Sequence, residues 1–105
     1  MSAAWLIVRA TVPDVANRSA FDHWYRTEHL PDAMKAFGVS KAWRGWSQQD
    51  PSVHSAHYRF DSLDALGAVM NGPVIKDLIA EFDRVWGNKV TRTREVTPIA
   101  DEVGV

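Results

Sequence analysis

Phe21-Asp22-His23-Trp24-Tyr25-Arg26-Thr27-Glu28-His29-Leu30-Pro31 sets three aromatic rings, two histidines and acidic side chains into about three helical turns. Read as a helix, Phe21, Trp24, Tyr25, Glu28 and Asp32 share one face, because positions three and four apart are neighbours. His29, four residues after Tyr25, stands at the border of that face. A core-facing helix normally fills such positions with aliphatic residues. An aromatic stripe with ionisable groups set into it can line a pocket as well as a dry core. Pro31 withholds a backbone donor and crowds the preceding turn, so a kink is expected near His29. Pro31 then opens a second piece that runs to Phe37 and stops at Gly38. Leu30, Met34 and Phe37 lie on a different face from Phe21, Trp24 and Tyr25. A break near His29 leaves backbone groups free to bond a ligand or water.

Outward from this stretch, the pattern alternates between strand and helix. Trp5-Leu6-Ile7-Val8-Arg9-Ala10-Thr11 reads as a strand, apolar on both faces and ended near Pro13. Asn17 or Ser19 can cap the helix that follows. Lys41 to Ser47 reads as a second strand, with Gly45 a bulge or a site of close approach. Ser55 to Phe60 is a third strand, with Ala56, Tyr58 and Phe60 on one face and His57 and Arg59 on the other. Ser62 caps a helix carrying Leu63, Leu66 and Met70, which Asn71-Gly72-Pro73 interrupts. Ile75, Leu78, Ile79, Phe82 and Trp86 recur at helical spacing after Pro73, and Gly87 ends that helix. Val90 to Thr97 is a fourth, less buried strand, on which Arg92 and Arg94 share a face toward solvent or a dimer edge. The domain is expected over residues 1–98, with 99–105 a C-terminal tail.

The order is β-α-β-β-α-β, an α+β ferredoxin-like arrangement with an antiparallel four-stranded sheet and helices on one face. A first strand that is apolar on both sides needs its other face covered as well. One chain has no third layer to do this, so two sheets are expected to pair face to face in a homodimer.

The 105 residues suit a single domain, and a net charge of −1 argues against a nucleic-acid surface. The absence of cysteine excludes disulfides, thiol nucleophiles and cysteine-ligated metals. The apolar segment after Met1-Ser2-Ala3-Ala4 spans about six residues, too short for a signal or a membrane span. The expectation is a cytoplasmic protein without a membrane or nucleic-acid partner. Five tryptophans are many for this length, and several are expected to edge a pocket or an interface.

The spacing Phe21-x-x-Trp24-Tyr25-x-x-x-His29-x-Pro31 resembles the first-helix signature of EthD-like proteins, a branch of the dimeric α/β-barrel superfamily. Phe60-Asp61-Ser62-Leu63-Asp64-Ala65-Leu66 is similar to the junction where that family's third strand enters its second helix. The family has Tyr before Trp, whereas this chain has Trp24 before Tyr25. The resemblance implies a barrel of two sheets. It also implies cofactor-free isomerase, dehydratase, cyclase or monooxygenase-like chemistry in which a His, and sometimes a Tyr, is the general acid or base.

His29 is therefore the candidate acid/base, with Tyr25 as hydrogen-bond donor. Alternatively, His29 bonds a carbonyl freed by the Pro31 kink. Trp24, Trp46 and Tyr58 are expected as walls of a pocket for a small hydrophobic molecule, such as an aromatic, a lactone or a polyketide-like compound. Arg9 and Arg44 can hold a carboxylate, enolate or phenolate through their forked donors, or form intersubunit ion pairs. His23 suits a surface position, while His54 and His57 point to opposite faces of a strand. No spacing gathers three metal ligands, and no cofactor is required. The alternatives are a binding protein for such a molecule or for haem, and a stress-related or assembly protein without turnover.

Overall fold

The first strand, β1 (Ala4–Thr11), takes the central position that its two apolar faces demand, pairing antiparallel with a strand on either side. The structure, a computed structural model, describes residues 3–104. Beyond β1 the strands are β2 (Ala42–Trp46), β3 (Val53–Phe60) and β4 (Thr91–Pro98), in the spatial order β2-β3-β1-β4. The helices are α1 (Val15–Trp24), α2 (Leu30–Phe37), α3 (Leu63–Met70) and α4 (Pro73–Trp86). The ferredoxin-like order and the antiparallel sheet are as read from the sequence.

Alternation along β1 sends Ala4, Leu6 and Ala10 into the core beneath the helices, where they meet Phe21, Tyr25, Leu66, Phe82 and Trp86. The opposite face carries Trp5, Ile7 and Arg9. There Trp5 meets Trp43 edge-on with centroids 4.6 Å apart, and Trp43 stacks on His57 at 6.3 Å and 11°. Trp43 is 44% exposed. Leu66 and Phe82 are almost fully buried, each contributing roughly 1.5–3 kcal/mol.

Several local expectations are corrected. Asp14, rather than Asn17 or Ser19, caps α1, accepting from the Ala16 amide at 2.9 Å. Pro13 before it ends the extended segment, so the helix starts earlier than the aromatic stripe suggests. Gly45 is neither bulged nor closely approached: it pairs with Ser55 in unbroken register, and a methyl group there would meet nothing within 4 Å. Close approach occurs instead at Gly72, where a Cβ would stand 2.9 Å from the Ala68 carbonyl. Ser62 caps α3 as expected, Pro73 opens α4, and Gly38 ends α2 at φ 69°.

The tail is tied to the sheet. The Ile99 amide bonds the Ala3 carbonyl at 2.9 Å, and Arg59 grips both oxygens of Glu102 at 2.7 and 2.6 Å. Met1 and Ser2, at the start of the expected domain, and Val105, at the end of the expected tail, lie outside the described residues.

No sharp kink forms at His29. The backbone instead continues from α1 into α2 through a π turn over Tyr25–His29, in which the Leu30 amide bonds the Tyr25 carbonyl five residues back. Widening the turn gives the Pro31 ring, two residues into the renewed α-helix, the room that a straight helix denies it. The Thr27 hydroxyl bonds the His23 carbonyl at 2.8 Å, a side-chain substitute within the distorted turn. Arg26, Thr27 and Glu28 are exposed, whereas Phe21, Trp24, Tyr25 and Ala33 on either side are buried. The extra residue thus lets both helical halves face the core. Deleting Thr27 is expected to turn one half by about 100° against the other. This should destabilise the protein by at least about 2 kcal/mol, whereas Thr27→Ala should cost less than about 1 kcal/mol. Urea denaturation checks this, and equal, small losses would contradict the assigned register.

Candidate functional site

In an unbroken α-helix, Glu28 would follow Trp24 and Tyr25 onto the inner face. The inserted residue of the π turn gives that place to His29. Its imidazole stacks on Trp24 with centroids 4.8 Å apart and 21° between planes, and meets Tyr25 and Phe82 edge-on at 4.9 and 5.7 Å. Neither ring nitrogen has a hydrogen-bond partner among the described residues, so the clasp on a freed carbonyl is not formed. Burial chiefly, with the positive charge of Arg92, lowers the imidazole pKa from 6.5 to about 4, against a smaller opposing effect of Glu81. His29 is neutral at neutral pH.

His29, Ala33 and Phe37, four residues apart, line one side of a cavity of about 30 Å³ between helices and sheet. Leu6, Val8 and Tyr58 form its floor, and α4 closes it with Ile75, Leu78, Ile79 and Phe82. Arg92 and Arg94 of the edge strand β4 complete the lining. This space has room for a couple of water molecules. A ring-sized ligand requires its walls to part.

Of the residues singled out in the sequence, His29 and Tyr58 reach this cavity directly. Tyr25 stands behind Tyr58, 1% exposed, and their hydroxyls are 2.8 Å apart. Burial raises both pKa values, that of Tyr58 to about 12, so both stay protonated. Two hydroxyls that share one hydrogen bond keep one hydrogen to spare. Where Tyr25 is the donor, that hydrogen belongs to Tyr58, the member of the pair that lines the cavity. Trp24 backs His29 rather than facing the cavity. Trp46 packs on Phe21 and His54 and donates its Nε1–H to Asp22 at 2.9 Å. Close aromatic packing around Phe21 therefore fills the space that a broad aromatic pocket would need. Arg9 lies on the opposite sheet face, paired within the chain to Glu95 at 2.9 Å. The intersubunit pairing expected for Arg44 is also replaced by an internal one, to Asp22 at 2.7 Å.

Three functional candidates escaped the sequence reading. His54 is 0% exposed, and its Nε2 lies 3.3 Å from Arg44 Nη1. An arginine can only donate, so Nε2 accepts and Nδ1 carries the hydrogen, buried without a partner among the described residues. The ring lies against Tyr25, centroids 4.5 Å apart. Burial, then the Arg44 charge, lowers its pKa to about 4. Extending strand β3 back by two residues would have placed His54 on the Ala56, Tyr58 and Phe60 face. Likewise, alternation from the buried Val90 puts Arg92 and Arg94 on the helix side of β4, where Arg92 is half-buried and Arg94, still exposed to solvent, stands at the cavity rim. The Arg92 guanidinium lies 4.0 Å from the Phe82 ring centroid and 3.1 Å from Asp83.

The two neutral histidines impose a pH dependence. Between about pH 6.5 and 4 the unfolded chain binds protons on both rings that the folded chain does not, so stability falls as pH falls through that window. The loss should be on the order of 2–3 kcal/mol per ring and level off below the folded values. Asp22, held at about 2 by its hydrogen bonds from Arg44 and Trp46, adds a further loss as pH falls below its ordinary 3.8. Urea unfolding measured against pH checks this. A flat profile from neutral pH to about 4.5 would contradict the burial of neutral His29 and His54.

No protein-family model matches the sequence, and no curated protein matches it. Among solved structures, an ethyl tert-butyl ether D (EthD) family protein from Bacillus halodurans superposes with a TM-score of 0.66 at 18% identity, covering 89% of this chain and 96% of the other. The cofactor-independent oxygenase SnoaB from Streptomyces nogalater superposes with a TM-score of 0.68 at 11% identity over 98% of both chains. A dimeric ferredoxin-like protein from an uncultured marine organism gives 0.63 at 12% identity, covering 98% of this chain and all of the other. The likeness is one of fold, and it agrees with the resemblance carried by Phe21 to Pro31. The chain has the ferredoxin-like α+β fold shared by these EthD, oxygenase and dimeric proteins.

Proposed function

We propose that this protein is a cytoplasmic homodimer, paired through its outer sheet faces. Each subunit would bind, and transform by cofactor-free acid/base chemistry, a small hydrophobic organic molecule in the cleft beside His29. One observation carries the proposal. A neutral imidazole with no hydrogen-bond partner among the described residues lines an apolar cavity that Tyr58, its hydroxyl paired with that of Tyr25, lines as well. Such an imidazole can accept a proton from an acidic C–H or O–H of the ligand. The electron pair left behind then resides on a ligand oxygen, and the Tyr58 hydroxyl can donate to it.

The fold is compatible with this reading, since SnoaB is described as a cofactor-independent oxygenase. A fold hosts many activities, so the site residues bear the argument. The low pKa of His29 favours hydrogen-bond acceptance in the free protein; an anion forming beside it would raise that pKa during reaction. The outer face, with Trp5, Ile7 and the exposed Trp43, is the apolar surface that a second sheet would cover.

Two measurements test the proposal. Sedimentation at low micromolar concentration is expected to give a dimer, and Trp43→Glu a monomer. A stable, folded wild-type monomer would contradict sheet pairing. His29→Gln should keep the fold and lower turnover of a hydrophobic substrate about 10²–10⁴-fold. Where the protein only binds its ligand, the same change should weaken binding without any turnover to lose. Unaltered ligand affinity and turnover would remove His29 from the site.

A further inference from the structure

We infer that Arg94, with Arg92 beside it, selects ligands bearing a carboxylate, so that the molecule taken up in the His29 cleft is an apolar body with one anionic end. This rests on the cleft being the ligand site and adds the ligand's charge. The two arginines are alternate residues on the inward side of the edge strand β4, and both line the same cavity as His29. Their circumstances differ. Arg92 is committed to structure: its side chain is 12% exposed, lies over Phe82 and is paired with Asp83. Arg94 has no carboxylate within ion-pairing distance among the described residues, although it lies beside the charge of Arg92. The neighbouring acid Glu81 is engaged by Arg84. The cavity wall therefore holds two guanidinium groups, of which Arg92 alone is ion-paired, to Asp83. Its other lining, from Leu6, Val8, Leu78 and Phe82, is apolar. Partial burial, reinforced by Arg92 and opposed more weakly by Asp83, pulls the Arg94 pKa below its ordinary value.

A planar guanidinium presents forked donors that match the two oxygens of a carboxylate. An apolar body would lie along the Leu and Phe walls toward His29, with the carboxylate at the rim against Arg94. A neutral molecule of the same shape would gain the first contact and forgo the second. Arg9 and Arg59, the other arginines on strands β1 and β3, point from the opposite face and are already paired with Glu95 and with Asp61 and Glu102. They give no competing reason for anion selection in the cleft.

Benzoate and benzamide, nearly equal in shape and different in charge, provide the test. Each is titrated into the full-length protein while the NMR signals of cleft residues are followed. Benzoate is expected to bind about ten-fold or more tightly than benzamide. Arg94→Gln should abolish the preference, bringing benzoate to about the affinity of benzamide in the same variant, with the melting temperature unchanged. Equal affinities in the wild-type protein would overturn the inference while leaving the apolar cleft in place. A benzoate preference that survives in Arg94→Gln would overturn it too, by placing the anion elsewhere. Failure of both probes to move cleft signals would overturn the cleft as the ligand site, and the inference with it. The wild-type comparison stands even where the variant folds poorly.

Discussion

Pro31 lies within a helical segment but cannot make the backbone hydrogen bond of an ordinary helix. The chain resolves this by widening one turn, Tyr25–His29, and resuming the α-helix at Leu30. One added residue rotates everything after it. The apolar stripe of α1, Phe21, Trp24 and Tyr25, and the inward line of α2, Ala33 and Phe37, can then both face the sheet. The residue that bridges the two stripes is His29. Its location is thus tied to the packing of the whole helical layer, which makes the imidazole costly to displace.

A neutral imidazole in an apolar setting is one of several polar groups set into this core, and each is handled differently. The two tyrosine hydroxyls satisfy one another at 2.8 Å. Asp22 gathers donors from Arg44 and Trp46, while Arg44 also reaches His54. The unmatched groups are Nδ1 of His54 and Nε1 of Trp86, buried without partners among the described residues. Each such group costs on the order of 1–3 kcal/mol, a considerable fraction of the stability of a small domain. His29 differs in kind, because it adjoins a cavity that a ligand or water can enter.

Much of the fold was legible because it follows from local patterns. The two-sided apolar run of β1 implied a central strand, the spacing of Ile75, Phe82 and Trp86 implied α4, and Ser62, Pro73 and Gly87 marked their boundaries. The π turn was not legible, since a proline signals only that the helix must adjust, not whether it bends or widens. That choice depends on what lies beneath, where Trp24 and Ala33, on either side of the turn, are both buried. The candidate site divides similarly. His29 and Tyr58 were found from residue chemistry and alternation. Charged residues on an edge strand usually meet solvent, which holds for the exposed Arg94 but not for Arg92, half-buried over Phe82. His54 was weighed only as a metal-site partner of His57, on the other strand face, although β3 begins two residues before Ser55, at Val53, and carries His54 into the core. Arg9 stands between apolar residues in sequence, but alternation turns Val8 and Ala10 toward the core and Arg9 to the outer face of the sheet.

The central claim is that the π turn, by inserting one residue, turns His29 rather than Glu28 into the cleft. Nuclear Overhauser contacts from the His29 imidazole protons report this directly. The account predicts contacts to the rings of Trp24 and Phe82, with ring-current shifts from the stacked Trp24 indole. An imidazole lacking those contacts, with Glu28 side-chain protons close to Trp24 and Phe82 in its place, would contradict it.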